Sequence, residues 1–230
     1  MGKIVAIGGG EIGKSETIKI DKEIIRLTGK KNPKLLFIPT ASFDSESYCE
    51  IVKSHFGKKL GCKIDILYLI KRKPAKKEIE EKILNSEIIY VGGGDTGKMM
   101  KVWKGLGVDK TLKRAYEKGI VLSGLSAGSI CWFKWGKVSG LGLINAVHLP
   151  HYNVNRVARG QLKKAMLRRQ GVAIGIDNRC AIEVIGDRYH IISSKAEANA
   201  YKIYWKQGKY YEEKIKKEKG LKPLDGLLRR

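Results

Sequence analysis

The chain has 230 residues, of which 43% are hydrophobic, and a formal net charge of +23. This length is enough for one α/β domain with a full hydrophobic core, and we predict a single domain over residues 1–230. The basic residues are spread along the chain and mixed with acids, as on solvated helix faces, so specific nucleic-acid binding is not expected. No apolar run is long enough for a bilayer and no signal peptide precedes the first strand, so we expect a cytoplasmic protein without membrane contact.

Short apolar strands alternate with amphipathic helical stretches over the first half of the chain. Strands are predicted at 3–7, 34–38, 63–69, 88–91 and 120–122, and helices at 21–27, 46–60, 76–84, 98–103 and 110–118. A helix at 157–169 follows, and then short strands at 172–176, 181–184, 189–192 and 200–204. The pattern predicts an α/β fold, with a mostly parallel sheet flanked by helices on both faces and hairpin strands at the C-terminal end.

Glycine-rich turns follow three of these strands. Gly8-Gly9-Gly10 comes after the first strand, Gly92-Gly93-Gly94 after the fourth, and Gly124-Leu125-Ser126-Ala127-Gly128 after the fifth. Ligands of open α/β sheets collect at the carboxyl ends of the strands. We therefore expect the functional site where these three turns meet.

The third turn has the Gly-x-Ser-x-Gly pattern of a nucleophile elbow, between an apolar strand and a helical run at 130–133. Such a turn exposes the serine oxygen at the carboxyl end of the sheet, which makes Ser126 the candidate nucleophile. The N–H group of Ala127 would face the developing oxyanion, together with that of Gly93 or Gly94.

A serine nucleophile needs a base, and the base needs a group that fixes its tautomer. His151 follows Pro150 in a loop after the elbow and is the candidate base. Two residues are candidates for the acid: Asp177, at the predicted end of a strand, and Glu183, within an apolar run. Their spacing from His151 does not decide between them. An alternative esterase-like site would use His190 as the base, with Asp177 or Asp187 as the acid.

The segment from Gly8 to Ser15 also matches the P-loop pattern, which gives a second alternative, a nucleotide-binding protein. Two features argue against it. Glu11 would place a carboxylate inside a loop that wraps phosphates, and no apolar strand ends directly in an aspartate for magnesium.

Five motifs in this order resemble peptidase family S51, the peptidase E-like serine peptidases that cleave dipeptides beginning with aspartate, with the cyanophycinases as a sister branch. The motifs occupy residues 6–11, 35–42, 91–96, 124–128 and 149–152, and the resemblance extends to residues 222–228. It implies a class I glutamine amidotransferase-like fold, which is flavodoxin-like with three layers. It implies no metal and no organic cofactor, and small peptides as substrates; a homodimer is possible.

The resemblance also carries expectations for single residues. Ser126 takes the position where the amidotransferases have cysteine, His151 matches the base and Gly93 the oxyanion turn. Arg156 and Arg159 fall where an arginine would hold the acidic side chain of the substrate, and Asp95 and Thr96 are expected beside the substrate. The chain departs from the family pattern at Asp95, often asparagine, in a shortened segment between 126 and 148, and at Asn178, where some relatives have glutamate.

Overall fold

The computed structural model describes residues 1–218 and 220–230. The strands are β1 (Lys3–Ile7), β2 (Lys34–Ile38), β3 (Lys63–Ile66), β4 (Ile88–Val91), β5 (Val121–Leu125), β6 (Phe133–Trp135), β7 (Ile144–Leu149), β8 (Ala173–Ile176), β9 (Cys180–Ile185), β10 (Arg188–Ser193), β11 (Ala200–Lys206), β12 (Lys209–Lys214) and β13 (Lys222–Pro223). The α-helices are α1 (Ile18–Arg26), α2 (Glu46–Val52), α3 (Lys76–Leu84), α4 (Thr96–Leu106), α5 (Val108–Glu117), α6 (Ala127–Ile130), α7 (Arg156–Leu167) and α8 (Leu224–Leu228). Short 3-10 turns lie at Ile12–Lys14 and Thr40–Ser42, and a π-helix at Lys53–Lys59 continues α2.

The larger sheet has the strand order β13-β10-β9-β1-β5-β4-β2-β3. From β1 to β3 every neighbouring pair is parallel, whereas β9, β10 and β13 are antiparallel additions. The crossovers from one parallel strand to the next pass through helices, as parallel pairing requires. The predicted α/β fold, a mostly parallel sheet with C-terminal hairpin strands, is confirmed.

Helices cover both faces of this sheet because the side chains of its strands alternate between them. Val5 and Ile7 of β1 pack in the same core cluster as Ile20 and Ile24 of α1. Ile4 and Ala6 point to the opposite face, whose core cluster also holds residues of α3, α4 and α5. These strands are buried on both faces and therefore read as unbroken apolar runs in the sequence.

A second, smaller sheet has the order β12-β11-β8-β7-β6. The prediction of a helical run over 130–133 is wrong at its end, since α6 stops at Ile130 and Phe133 begins β6. The predicted strands at 172–176 and 200–204 belong to this second sheet rather than to the main one. Helix α7 covers it, with Leu162 and Met166 packed in one cluster with Ala173 and Ile203.

The register of the main sheet aligns the carboxyl ends of three strands. Gly124 of β5 pairs with Ala6 of β1 on one side and with Val91 of β4 on the other. The turns that leave β1, β4 and β5 therefore lie side by side at one edge, as predicted. Within the described ranges, no helix has the length and apolar character needed to cross a bilayer.

Candidate active site

Ser126 occupies the turn between the buried strand β5 and the helix α6. A Cβ atom on Gly124 would lie 2.6 Å from the carbonyl oxygens of Val91 and Gly128, and one on Gly128 would lie 2.1 Å from the Val91 oxygen. Both positions must be glycine for α6 to start this close to β4. The turn has the strand–turn–helix geometry of a nucleophile elbow.

The backbone is strained at both Ser126 and His151. Ser126 has φ 55° and ψ −114°, and His151 has φ 53°. Left-handed backbone costs about 1–3 kcal/mol at a non-glycine residue that the surrounding structure holds in place. Here the surroundings do so through hydrogen bonds, since the Ser126 N–H donates to the Ile7 oxygen at 3.1 Å and the His151 N–H to the Gly8 oxygen at 2.9 Å.

Ser126, His151 and Asn178 form a hydrogen-bonded row. His151 Nε2 lies 2.8 Å from Ser126 Oγ, and His151 Nδ1 lies 2.7 Å from Asn178 Oδ1. Because an amide oxygen only accepts, Nδ1 carries the proton and Nε2 accepts from the serine hydroxyl. This is the tautomer that a general base needs.

The turn after β1 supports this row. A Cβ atom on Gly9 would lie 2.3 Å from Asn178 Oδ1 and 2.5 Å from the His151 ring, so a side chain at residue 9 would displace both. The Gly9 carbonyl accepts the Arg179 N–H at 2.8 Å, which fixes the residue after Asn178. The P-loop-like glycines are thus used to hold the histidine and the asparagine.

The same turn lacks the structure of a phosphate-binding loop. It leads into the 3-10 turn Ile12–Lys14 instead of the helix whose N-terminus would bind phosphate. Lys14 forms an exposed ion pair with Glu11 at 2.9 Å.

The predicted acid is corrected, since neither Asp177 nor Glu183 contacts His151. Asp177 follows β8, and its Oδ2 accepts the backbone N–H of Asn199 at 2.9 Å. Burial raises the pKa of this carboxyl. Asp177 and Asn178 are consecutive at the strand end, so their side chains leave in different directions and only Asn178 reaches the histidine. One sign of this role is present in the sequence, since Asn178 stands where some relatives have glutamate.

Glu183 lies in β9 with 1% of its surface exposed, within ion-pair distance (3.3 Å) of His190 Nδ1. Burial and the neighbouring Glu23 raise the pKa of Glu183 to about 8. The alternative site with His190 as the base is therefore also corrected, because the hydroxyl of Ser126 is bonded to His151 instead.

Two free N–H groups lie beside the elbow. Ala127 is the first residue of α6, and its N–H has no acceptor among the described residues. On the neighbouring turn, Gly93 donates its N–H to Tyr48 Oη at 3.3 Å, whereas the N–H of Gly94 has no acceptor within the described ranges. A Cβ atom on Gly93 would lie 3.4 Å from the Ser126 Cβ atom, which places this turn against the serine. The N–H groups of Gly94 and Ala127 are thus free, within the described residues, to donate to a ligand at Ser126.

A pocket of about 520 Å³ opens beside Ser126 and His151. Residues of β7 and α7 form much of its wall, and most of them are apolar or uncharged. Lys137 and Arg169 also line it, and no Asp or Glu is present among the described lining residues. No motif in the sequence marks these two cations. Lys137 lies in the shortened segment after the elbow, and Arg169 follows a helix rich in basic residues.

The residues predicted to bind substrate are only partly at this pocket. Thr96 lines it, and Asp95 beside it caps α4 by accepting a backbone N–H, which lowers the pKa of Asp95. Arg159 forms an ion pair with Glu212 at 2.7 Å, outside the pocket lining. Arg156 is exposed and also lies outside the lining. The cations at the pocket are therefore other residues than those predicted.

His148 supports the turn that carries Ser126 through a contact with Ser129. Its Nδ1 donates to the Ile174 oxygen at 2.9 Å, and its Nε2 lies 2.8 Å from Ser129 Oγ. The same hydroxyl oxygen lies 2.8 Å from the Ser126 carbonyl oxygen, so its single proton is shared between that oxygen and His148 Nε2. Burial lowers the pKa of His148 to about 4, so this imidazole is neutral at physiological pH.

The remaining histidine belongs to a second serine–histidine cluster. Ser15 Oγ lies 3.5 Å from His55 Nδ1, and His55 Nε2 lies 2.8 Å from Asp21 Oδ2. Asp21 belongs to α1 and His55 to the π-helix, and both side chains are buried. Across the described ranges, no three His, Cys, Asp or Glu side chains are grouped as ligands of a metal ion.

Comparisons with known proteins place the chain in a peptidase family. An uncharacterized peptidase of Bacillus subtilis (strain 168), YgaJ, is 31% identical over 217 residues, covering 88% of this chain and 92% of the relative. The crystal structure of a peptidase from an acI-B1 Actinobacterium has a TM-score of 0.73 at 22% identity and covers 97% of both chains. A Listeria monocytogenes EGD-e protein named as peptidase E has a TM-score of 0.67 at 20% identity, covering 84% of this chain and 98% of that one. Residues 4–192 match the model of peptidase family S51, and the chain belongs to that family.

Proposed function

We propose that this protein is a serine peptidase that hydrolyses short peptides, among them dipeptides that begin with aspartate. The observation that carries the proposal is the 2.8 Å contact between Ser126 Oγ and His151 Nε2 at a nucleophile elbow. Membership of peptidase family S51 supports a peptidase activity.

In the first step, His151 Nε2 takes the proton of the Ser126 hydroxyl while the oxygen attacks the peptide carbonyl. The N–H groups of Ala127 and Gly94 stabilise the oxyanion that develops, because neither donates a hydrogen bond to another acceptor among the described residues. His151 then returns the proton to the leaving amine. Water, activated by the same imidazole, hydrolyses the acyl-enzyme and regenerates the serine.

Asn178 takes the role of the acid in this scheme. Its amide oxygen holds the proton of His151 on Nδ1, so the tautomer is correct without a carboxylate. An amide carries no charge, however, and stabilises the imidazolium of the transition state less than a carboxylate would. A histidine oriented by asparagine is also found in the papain-like proteases.

The charge of the pocket supports acidic substrates. Lys137 and Arg169 line it without a neighbouring carboxylate among the described lining residues. A dipeptide that begins with aspartate carries two carboxylates and one ammonium, and its net charge matches this lining.

The test is hydrolysis of a dipeptide panel, Asp-Leu, Glu-Leu, Ala-Leu and Lys-Leu, by the wild type and by the Ser126→Ala variant. Cleavage of Asp-Leu by the wild type alone is the expected result. Cleavage at equal rates by both proteins would exclude the serine mechanism. Cleavage of all four peptides at similar rates would support the peptidase activity but contradict the preference for aspartate.

A further inference from the structure

The charged side chains that line the pocket beside Ser126 are cationic. Lys137 and Arg169 are the residues with permanent charge among those described in its lining, and both are cationic. His148 also lines it but is buried and neutral, with its pKa lowered to about 4 by burial. A positively charged part of a ligand would find no carboxylate partner in this lining, whereas an anionic part would find two cations.

The two cations come from different elements that meet at the pocket. Lys137 follows β6, and Arg169 follows the end of α7. The guanidinium carbon of Arg169 lies 5.3 Å from the ring centroid of Trp135 in β6, so stacking holds this arginine next to the segment that carries Lys137. Trp135 thus positions Arg169, and the Lys134 ammonium lies 4.4 Å from the centroid of the same ring.

Neither cation forms an ion pair with a carboxylate of the described residues, although Asp95, which accepts the Lys98 N–H, is also within electrostatic range of Lys137. Among the ion pairs of the described residues, none includes Lys137 or Arg169. Arg159 and Arg179, in contrast, are paired with Glu212 and Glu16. The charges of Lys137 and Arg169 are therefore available to a ligand in the pocket.

We propose that Lys137 and Arg169 bind the free C-terminal carboxylate of a short peptide, so that the enzyme requires a free carboxyl end next to the residue it releases. The inference rests on the proposed function and adds the end of the substrate that is recognised. Every unmodified peptide has one C-terminal carboxylate, and an arginine fork with a nearby ammonium suits it. The N-terminal ammonium is repelled from the same lining, so the pocket takes the leaving, C-terminal side of the peptide.

The size of the pocket agrees with this assignment. A volume of about 520 Å³ lies within the range of small-molecule sites, about 300–1,000 Å³, and holds a short piece of peptide rather than a long chain. With Ser126 in the same lining as the two cations, the scissile bond and the terminal carboxylate are bound in one cavity.

The test compares four peptides in a two-by-two design: Asp-Leu and Asn-Leu, each with a free and with an amidated C-terminus. Their hydrolysis is measured with the wild type, and their binding is measured by calorimetry with the Ser126→Ala protein. We expect amidation to lower kcat/KM and affinity about 10- to 100-fold, the effect of losing a charge-assisted contact. If amidation changes neither affinity nor kcat/KM while Asp to Asn does, the cations bind the aspartate side chain and the inference is wrong.

Matched variants assign the effect to the two residues. The double variant Lys137→Gln/Arg169→Gln should lose the preference for the free carboxylate. Lys164→Gln/Arg168→Gln removes the same charge from exposed positions outside the pocket lining and should keep it. Equal loss in both double variants would mean that only the net charge matters, against the proposed site. If the wild type cleaves no peptide but the Ser126→Ala protein still prefers the free acids, the proposed function fails and the carboxylate site stands.

Discussion

Two serine–histidine clusters in this molecule can be compared, because each serine lines a pocket but only one cluster includes a buried aspartate. In the first, Ser126 contacts His151 at 2.8 Å, and an asparagine orients the histidine. In the second, Ser15 lies 3.5 Å from His55, whose other nitrogen contacts Asp21 at 2.8 Å. By residue type alone, the second cluster looks the more complete.

The difference lies in the backbone around each serine. After Ser126, the N–H of Ala127 is free within the described residues. After Ser15, the N–H of Glu16 donates to the Glu11 oxygen at 3.2 Å, so the N–H group that follows this serine is already engaged. Lys59 also donates to Ser15 Oγ at 2.7 Å. Ser15 also lines a cavity, of about 450 Å³, so the two clusters differ in the free N–H group after the serine and not in access to a pocket. A serine and a histidine need such a donor for catalysis, and an acid does not replace it.

Replacing each serine by alanine tests the comparison most directly. We expect Ser126→Ala to lower kcat by at least about 10³-fold, since removing a nucleophile eliminates the covalent route. Ser15→Ala should keep the wild-type rate within about a factor of two, since no step of the mechanism uses it. The measurement is peptide hydrolysis under single-turnover conditions. A large loss in Ser15→Ala with an intact fold would show that the wrong cluster has been assigned.

The two histidines should separate activity from stability. His151→Ala is expected to abolish hydrolysis with little change in the melting temperature. His55→Ala leaves Asp21, which is 0% exposed, with the Thr17 hydroxyl as its remaining side-chain donor among the described residues, and should cost about 3 kcal/mol in the free energy of unfolding. Urea denaturation measures the second effect. The double variant His55→Leu/Asp21→Leu is its control: it should recover part of the loss, because no buried charge is left.

Asn178 tests how much a missing acid matters. Asn178→Ala leaves His151 Nδ1 without an acceptor, and we expect kcat to fall about 10- to 100-fold. Asn178→Asp keeps the shape and adds a charge beside the imidazolium, so kcat should rise severalfold, about the worth of a charge-assisted hydrogen bond. Both are read as kcat at saturating peptide. A slower Asn178→Asp enzyme would mean that the neutral amide is required.

The smallest effect concerns Glu183, a buried carboxylate that neither serine uses. Its folded-state pKa is raised to about 8, above its ordinary value of 4.5, by burial and by Glu23; Arg26 opposes this. The folded protein then holds a proton that the unfolded chain releases, so stability falls as the pH rises from about 4.5 to about 8.

Thermal melts between pH 5 and pH 9 should show a shallower decline for Glu183→Gln than for the wild type. Glu78→Gln, at an exposed position of α3, is the matched control and should follow the wild type. His190 faces Glu183, and burial lowers its pKa, so the His190→Gln variant belongs in the same series. An unchanged slope in Glu183→Gln would contradict the assignment.

Much of this architecture could be predicted because the main sheet is buried on both faces. β1, β2 and β4 have the predicted bounds, since unbroken apolar runs ending in glycine or proline mark such strands clearly. The second sheet was harder. β6 is a strand of three residues, and β12 is largely exposed and rich in charged side chains, so neither has an apolar signature.

The candidate site, too, was predictable only in part. Ser126 and His151 lie in motifs with their own local chemistry, and the structure brings them together. The partner of His151 could not be derived from spacing, because Asp177 and Asn178 are neighbours and only the direction in which the chain leaves β8 separates them. Lys137 and Arg169 are distant in the sequence and line one pocket only in the fold, where Arg169 packs against Trp135.

The left-handed backbone at Ser126 and His151 has a consequence for how this sequence can change over time. Both residues of the reacting pair occupy conformations that glycine would adopt without penalty, at φ 55° and 53°. Selection for thermal endurance alone would favour glycine at these two positions, and each such replacement would remove a reacting group. Substitutions that make the fold more stable at these two positions would therefore inactivate the protein. Selection for the reaction is what retains the serine and the histidine.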